Sequence, residues 1–319
     1  MEAGKIAVIG AGLAGLACAR RLVDAGRAVT VFDKGRAAGG RMSTRRAGLA
    51  AWDHGAQYFT VRDPGFERLV GRARAAGQLQ TWHPRWPGGE QEDRSLWVGV
   101  PGLSAFPRWL AGGLDVASGT QVLSLSRQPS GWTLTDQAGR HVGGFDLVVL
   151  AMPAPQAAAL ADGHTALSGA VAAIRMDPCW AVMAAFERPV EAGCDADWSP
   201  DPVLPWLARN NSKPGRTGPE AWVLHADAGW SREHLEDDVD AVQAALLGRL
   251  AERLSVVLPP VMTIEARRWR HARVVEPLGE AWLLDRGAGI AFCGDWCLDA
   301  RVEAAFLSGD RLGAELAGS

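Results

Sequence analysis

The stretch "KIAVIGAGLAGLACARRLVDAGRAVTVFD" (residues 5–33) decides the fold. It opens with a short run of apolar and β-branched residues, which is typical of a buried parallel strand. Apolar residues then recur at helical spacing from Leu13 to Ala25, and Gly26 is a suitable residue to end that helix. A second apolar strand, 28–33, follows at once. Strand, helix and strand in about 30 residues predict a right-handed βαβ unit of the Rossmann type.

The turn between the first strand and the helix carries the pattern Gly-x-Gly-x-x-Gly at Gly10, Gly12 and Gly15, with Ala14 inside it. The first glycine permits a tight turn, the second lets the backbone approach a pyrophosphate, and the third allows the helix to pack closely on the strand. Asp33 ends the second strand 18 positions beyond Gly15, where an acid can accept hydrogen bonds from a ribose. These residues predict a dinucleotide-binding site at the N-terminus of the helix.

A second motif, "GGRMST" (39–44), follows the second strand and its neighbouring Lys34, which we include in the candidate site. A simple NAD-binding domain has no need of an arginine behind paired glycines at this point. The stretch resembles the second FAD motif of the flavoprotein superfamily of amine oxidases and desaturases. The resemblance implies that Gly40 lets the chain turn close to FAD and that Arg41 reaches the pyrophosphate.

A third motif closes the chain. The apolar strand "AFCGD" (291–295) is followed by a predicted helix, Val302–Ala317. Flavoproteins of the same superfamily end with a strand, a Gly-Asp pair and a helix whose N-terminus faces the flavin. The resemblance implies that Asp295 lies near the ribityl and pyrophosphate groups and that the backbone near Val302 lies at the isoalloxazine ring.

Two other segments narrow the resemblance. "WDHGAQYFTVRDPGF" (52–66) and "WVGVPGLSAFPRWLA" (97–111), together with "GGRMST" and "GDW", look like renalase and its bacterial relatives. The matching segments are spread over most of the chain, and the region 156–260 matches loosely. The resemblance implies contacts with the flavin ring or with adenine at three further positions: Ala56, Gln57 and Val122.

The renalase resemblance implies a small FAD oxidase that acts on misreduced nicotinamides. Its substrates would be the 2- and 6-dihydro isomers of NAD(P)H, converted to NAD(P)⁺ while O2 is reduced to hydrogen peroxide. A dihydropyridine nitrogen expels hydride unaided, so the protein need only stack the ring against the flavin and exclude water. Aromatic and polar candidates for that pocket are Trp97, Trp269, Arg270, His271 and Trp296. Core packing competes with this interpretation for the tryptophans, as a structural role does for His271.

The domain organisation follows from a change of pattern along the chain. Residues 120–153 alternate in polarity, which predicts a β-meander feeding a buried strand at Leu147–Ala151. Strand-like runs at 179–187, 221–227 and 261–269 then surround a long helix near Val239–Val256, which predicts an antiparallel sheet. The expected fold is α/β, with a Rossmann-type FAD-binding domain and a smaller α+β substrate domain. The expected boundaries are 1–80, 101–155 and 275–319 for the FAD-binding domain, and 81–100 and 156–274 for the substrate domain.

Bulk properties exclude several classes of function. A net charge of −3 does not suggest a nucleic-acid partner. No apolar run reaches the roughly 18 residues of a membrane span, and the N-terminus enters a strand without a signal peptide. Five scattered cysteines favour a reducing cytoplasm, and they form no zinc-site spacing. We therefore expect no membrane partner, no metal and a non-covalent FAD, because no cysteine occupies a confident flavin-linking position.

Other functions remain open. Many amine oxidases of this superfamily keep a lysine that holds a water at the flavin, but this chain has only Lys5, Lys34 and Lys213, none of them predicted on an active-site strand. That scarcity disfavours amine oxidation. A desaturase would usually be larger and carry a membrane-binding patch. A non-catalytic dinucleotide-binding protein on the same scaffold would lack an intact flavin site, whereas all three motifs here are intact.

Overall fold

The βαβ unit expected from residues 5–33 is present in the computed structural model, which describes residues 4–89 and 94–318. Residues 1–3, 90–93 and 319, which the expected domain boundaries include, lie outside the described residues. The helices are α1 (Leu13–Asp24), α2 (Pro64–Ala75), α3 (Ala105–Leu110), α4 (Ala154–Ala161), α5 (Ser168–Ala172), α6 (Ala228–Glu233), α7 (Val239–Leu254) and α8 (Val302–Ala317). In the described part of the chain, no helix is long and apolar enough to cross a membrane.

The strands are numbered along the sequence, and both halves of the sequence contribute to the first of the two main sheets. The first half contains β1 (Ile6–Ile9), β2 (Val29–Asp33), β3 (Thr44–Ala47), β4 (Ala50–Asp53), β5 (Leu79–Trp82), β6 (Leu96–Gly99), β7 (Asp115–Ser118), β8 (Val122–Gln128), β9 (Gly131–Asp136), β10 (His141–Phe145) and β11 (Leu147–Leu150). The second half contains β12 (Met176–Phe186), β13 (Ala196–Trp198), β14 (Trp206–Arg209), β15 (Glu220–His225), β16 (Val261–Val274), β17 (Leu283–Asp285) and β18 (Ile290–Phe292).

The nucleotide-binding half is built on a sheet with the strand order β17-β18-β11-β1-β2-β7. All neighbours in it are parallel except β17, which pairs antiparallel at the edge. Both faces are covered, which explains why β1 and β11 are apolar throughout. Val8 packs with α1 and α8, whereas Ile9 packs with the meander β8–β9–β10. The carboxyl ends of β1 and β2 therefore open at one edge, where the glycine-rich turn begins.

The other half contains an antiparallel sheet with the strand order β13-β14-β15-β12-β16. One face packs on α7 through Val242, Leu246 and Leu250. The opposite face packs on the β3–β4 hairpin through Trp52. The α/β fold class, with a Rossmann-type domain, a meander and a separate antiparallel sheet, is confirmed; the exact domain boundaries stay a prediction.

Two features of this sheet differ from the sequence expectation. The short strands β13 and β14 lie in a proline-rich stretch that has no strand pattern, because prolines in the flanking loops interrupt the alternation. The last long strand, β16, continues to Val274 rather than ending near Trp269. Residues 267–273 are consequently strand residues.

Candidate active site

The glycine-rich turn is a backbone cradle at the start of α1. Gly10 has φ +115°, and a Cβ there would lie 2.5 Å from the Ala151 carbonyl oxygen. A Cβ on Gly15 would lie 2.0 Å from the Gly10 oxygen, so neither position accepts a side chain. Gly12, the N-cap of α1, instead faces open space, and no side chain caps the helix. The N–H groups at this terminus are therefore available to an anion.

The "GGR" turn lies directly on this cradle. The Gly39 N–H donates to the Ala11 oxygen at 3.0 Å. Gly40 has φ +53°, and a Cβ there would lie 3.4 Å from the Gly12 Cα. The left-handed conformation and the close approach both favour glycine at position 40. Two motifs that are separate in the sequence thus form one glycine-lined wall.

Asp33 ties this wall to the end of β2. Its carboxylate accepts hydrogen bonds from the N–H groups of Ala11 and Gly35, each at 2.6 Å. The Asp33 carbonyl accepts from the Thr120 N–H at 2.8 Å, which brings the start of β8, with Val122, beside it. Ala14 is buried behind the cradle, and Lys34 is exposed next to Asp33. A carboxylate has four acceptor positions, so Asp33 retains capacity for a ribose.

Arg41 and Asp295, expected from different motifs to approach the same part of the cofactor, form a bidentate ion pair. The two guanidinium nitrogens lie 2.8 and 2.5 Å from the carboxylate oxygens. Arg41 also donates to the Ala272 carbonyl oxygen on β16 at 3.0 Å. The Asp295 side chain is 8% exposed, so the pair is largely withdrawn from water. It joins the second motif, the last motif and the antiparallel sheet.

The start of α8 is positioned by buried polar contacts. Val302 is its first residue, and no side chain caps its N-terminus. Glu303, 3% exposed, accepts hydrogen bonds from the N–H groups of Arg62 and Asp63 at 2.6 and 2.8 Å. Ser308 accepts from the Gly294 N–H at 2.9 Å. The helix terminus is therefore held in place while its own donors remain uncapped.

The segment 53–57 packs on the back of Arg41. The Ala56 N–H donates to the Arg41 carbonyl oxygen at 2.9 Å. The Gln57 amide nitrogen donates to the carbonyl oxygens of Asp53 and, at 3.1 Å, Gly55. Because the Gln57 side chain is engaged within the protein, a contact of Gln57 itself with a flavin ring falls to its backbone.

The face of the antiparallel sheet that packs on this segment is called the inner face here, defined by His54, His225, Arg267 and Trp269. Trp269 donates from its indole N–H to the His54 carbonyl oxygen at 3.0 Å, and the two rings lie 5.0 Å apart. A ring nitrogen of His225 lies 3.2 Å from the same oxygen. The Arg267 guanidinium lies over the Trp269 ring at 5.7 Å.

The two inner-face histidines are held neutral. Burial, followed by the charge of Arg267, lowers the pKa of His54 to about 4. Burial likewise lowers the pKa of His225 to about 4. Arg267 forms no ion pair with a carboxylate among residues 4–89 and 94–318. At neutral pH the inner face therefore carries a positive charge beside flat neutral rings.

Comparison with known families agrees with this geometry. A profile described as an NAD(P)-binding Rossmann-like domain matches residues 8–73. A profile described as flavin containing amine oxidoreductase matches residues 88–316, well over half of the 319. The chain belongs to the flavin-containing amine oxidoreductase family. Membership supports a flavin as cofactor; the narrower renalase assignment stays a prediction.

Solved structures share the fold of this chain. A proposed protoporphyrinogen oxidase from Exiguobacterium sp. 255-15 superimposes with a TM-score of 0.78 at 14% identity, covering 99% of both chains. Putrescine oxidase bound to putrescine gives a TM-score of 0.67 at 14% identity, again over 99% of both. At this identity the likeness concerns the fold alone.

A curated relative matches in part. The tRNA 5-methylaminomethyl-2-thiouridine biosynthesis bifunctional protein MnmC of Magnetococcus marinus is 30% identical over an alignment of 195 positions that covers 46% of this chain. The chain spans 29% of the length of that relative.

Within this flavin oxidoreductase fold, the pocket residues expected from the sequence do not all gather on the inner face. Arg270 lies on the opposite side of β16, where it donates to Glu236 at 2.5 Å together with Arg268. Successive strand residues point to opposite faces, so Arg270 cannot share the side of Trp269. His271 lies towards the nucleotide end: its pKa is lowered by partial burial and then by the charge of Lys34.

The other two tryptophans also lie elsewhere. Trp296 is fully buried and donates to the Met152 carbonyl oxygen at 3.0 Å, so it belongs to the core beneath the meander. Trp97 bridges to Phe59 and lies under the Arg74 guanidinium of α2 at 5.9 Å. The expectation that Trp296 lines a pocket is corrected by its complete burial. Trp97 lines a separate surface recess beside α2.

One buried cluster was not predicted from the sequence. Lys213, in the loop "NNSKPG", follows the short 3₁₀ turn Asn210–Ser212 and is 0% exposed at its side chain. It lies 3.6 Å from the Asp53 carboxylate, which also binds Arg216. Burial lowers the pKa of Lys213 to about 7. The polar residues, proline and glycine of "NNSKPG" are typical of a surface loop, so the sequence does not predict burial of Lys213. The scarcity of lysine in the chain was the one signal that could have drawn attention to it.

Metal and thiol chemistry have no assembled site in the part of the chain that the structure describes. Residues 4–89 and 94–318 contain no group of His, Cys, Asp and Glu that could hold a metal ion. All five cysteines are free. Burial raises the pKa of Cys18, Cys179 and Cys297 to about 12, which suppresses their thiolate forms.

Proposed function

We propose that the protein is an FAD-dependent oxidase that converts the 2- and 6-dihydro isomers of NAD(P)H to NAD(P)⁺ and reduces O2 to hydrogen peroxide. The observation that carries the choice of substrate is the charge of the inner face: Arg267 lies over Trp269 and its neighbours His54 and His225 are neutral. A cation beside flat rings suits an aromatic substrate that bears phosphates.

The residues of the cleft fit FAD. The open space at Gly12, the uncapped start of α1 and the Gly40 turn suit a pyrophosphate, and Asp33 suits the adenosine ribose. Arg41 and Asp295 would adjoin the ribityl chain, and the uncapped start of α8 would face the ring. When bound, FAD supplies a two-electron acceptor that can pass electrons to O2. Because the described cysteines are buried or protonated, we propose that FAD is bound non-covalently.

The inner face would select the substrate by charge. A protonated amine held about 6 Å from the exposed Arg267 guanidinium would be disfavoured by about 1.4 kcal/mol at an effective dielectric constant of about 40. A dinucleotide carries negative phosphates and would gain a comparable amount. This sign of charge favours dihydronicotinamides over amines.

The proposed reaction needs little acid–base assistance from the protein. Hydride leaves the dihydropyridine carbon with its electron pair, and the ring nitrogen becomes the pyridinium of NAD(P)⁺. The neutral His54 and Trp269 rings would hold the ring plane and keep water away, while the ion-paired Asp53 is sequestered beneath. Positioning of the donor carbon about 3–3.5 Å from the acceptor atom is then the main requirement.

Anaerobic mixing tests the proposal. We expect the purified protein to be yellow, and 2- or 6-dihydroNAD(P) to bleach its visible absorption rapidly in a stopped-flow instrument. Primary amines and ordinary 4-dihydro NADH should bleach it slowly or not at all. Fast bleaching by amines alone would show that the protein is an amine oxidase instead. A colourless protein unable to take up FAD would indicate a non-catalytic binding protein.

Acid precipitation tests how the flavin is attached. It should release all of the flavin; flavin retained by the pellet would contradict non-covalent binding.

A further inference from the structure

Lys213 is a surplus cation in a buried cluster. The Asp53 carboxylate already binds the Arg216 guanidinium and accepts hydrogen bonds from the Leu103 N–H and the Thr44 hydroxyl, both at 2.8 Å. Asp53 and Arg216 therefore balance each other without Lys213. Burying an additional ammonium group costs free energy, so this lysine needs an explanation other than charge balance.

The shortest polar contact of Lys213 is with Gln57 rather than with Asp53. Its Nζ donates to the Gln57 Oε1 at 3.0 Å, compared with 3.4 Å to Asn210 and 3.6 Å to Asp53. The Gln57 amide nitrogen in turn donates to the carbonyl oxygens of Asp53 and Gly55. The Gln57 carboxamide is thereby fixed in one orientation, because a flipped amide would point its N–H groups at an ammonium donor.

This contact bears on the cofactor cleft through the backbone. A Cβ on Gly55 would lie 2.0 Å from the Arg41 carbonyl oxygen, and the Ala56 N–H donates to that oxygen. Arg41 is the residue that pairs with Asp295 across the cleft. Lys213 is thus connected to the cleft through the Gln57 side chain and then through the backbone of Gly55, Ala56 and Arg41, which are in direct contact.

We propose that Lys213 is a positioning residue: through the Gln57 carboxamide it fixes the backbone of residues 53–57 against Arg41 and so shapes the flavin side of the cleft. Protein atoms alone bury the Lys213 side chain completely, so it acts through Gln57 rather than by touching a bound molecule. The proposal rests on the flavin site of the proposed function.

A double-mutant cycle tests it. Lys213→Met, Gln57→Leu and the double variant are compared with Lys5→Met, which removes the same charge from an exposed position. The readouts are the Kd for FAD of the apoprotein and the visible circular dichroism of the bound flavin. We expect each single variant to weaken FAD binding about tenfold, as for one lost hydrogen bond to a charged group, and to change the flavin dichroism in the same way. The double variant should resemble either single variant, and Lys5→Met should resemble the wild type.

Three results would overturn the proposal: additive effects in the double variant, unchanged flavin dichroism in Lys213→Met, or an effect of Lys213→Met that Gln57→Leu does not share. Gln57→Leu leaves Asp53, Lys213 and Arg216 in place. If Lys213→Met does not fold, wild-type flavin properties in Gln57→Leu are therefore sufficient to overturn the proposal. Failure of the wild type to bind FAD would instead count against the proposed function.

Discussion

The cofactor cleft and the inner face are built from opposite kinds of sequence signal. The cleft is assembled from glycines and single charged residues at the ends of regular strands, where backbone geometry dictates the residue type. The inner face is assembled from His54, His225, Arg267 and Trp269, which occupy three separate strand or loop segments and share no motif. Sites determined by backbone geometry can thus be located from the local sequence. A site formed by side chains from several packed segments can be located only once the fold is known.

The largest effect is expected from breaking the Arg41–Asp295 ion pair, which joins the cleft to the strand that carries the inner face. Arg41→Ala would leave Asp295 nearly buried without its partner, at a cost of about 2–3 kcal/mol in the free energy of unfolding, below the value for a fully buried pair. It should also reduce FAD retention. Urea unfolding and flavin content after dialysis measure these effects. Arg36→Ala, at an exposed position in the same loop, is the control; equal behaviour of the two variants would contradict a role for the pair.

A smaller effect is expected at the nucleotide end of the cleft. Asp33→Ala removes the acceptor of two backbone N–H groups and the expected ribose contact, each charge-assisted bond being worth about 1.5–3 kcal/mol before compensation by water. FAD affinity should fall by one to two orders of magnitude in a fluorescence titration. Asp24→Ala, on the exposed end of α1, should leave it unchanged. Wild-type affinity in Asp33→Ala would mean that the motif is assigned wrongly.

The inner face offers a matched pair of arginines on one strand. Arg267→Gln should raise the KM for a dihydronicotinamide dinucleotide about tenfold, since a cation that attracts phosphate is lost. The preference of the enzyme for the dinucleotide over amines, measured as a ratio of kcat/KM values, should fall with it. Arg268→Gln changes the neighbouring residue on the opposite face, where Arg268 pairs with Glu236, and should leave KM as it is. If both substitutions change KM equally, the assignment of the inner face as the substrate side is wrong.

The last comparison concerns pH and leaves the neutral-pH properties of the protein unchanged. His54 and His225 have pKa values lowered from 6.5 to about 4, so between pH 6.5 and 4 the unfolded chain binds protons that the folded chain does not. Stability should therefore fall on acidification through this range, by up to about 1.4 kcal/mol per pH unit for each histidine. Urea unfolding at pH 7.5 and 5.5 measures the loss, which His225→Gln should reduce. An unchanged loss in that variant would show that His225 is not buried neutral.

Sequence and structure agree most closely where one residue type alone satisfies the backbone. The glycines at 10, 15 and 40, the acid ending β2 and the helix after "AFCGD" follow from local rules, and the structure has the same elements. The strands β13 and β14 were missed because prolines hide their alternation. Arg270 was assigned to the wrong side, because the facing of a strand residue depends on which side of the sheet is covered. Lys213 was missed because burial of a polar loop is a tertiary property.

The central claim is most directly tested by the stoichiometry of one aerobic reaction. The purified flavoprotein is mixed with a known amount of 6-dihydroNAD, and NAD⁺ formed, O2 consumed and hydrogen peroxide released are measured together. We expect the three amounts to be equal and to match the donor added. Peroxide formation without NAD⁺, or turnover with amines and none with either dihydronicotinamide isomer, would contradict it.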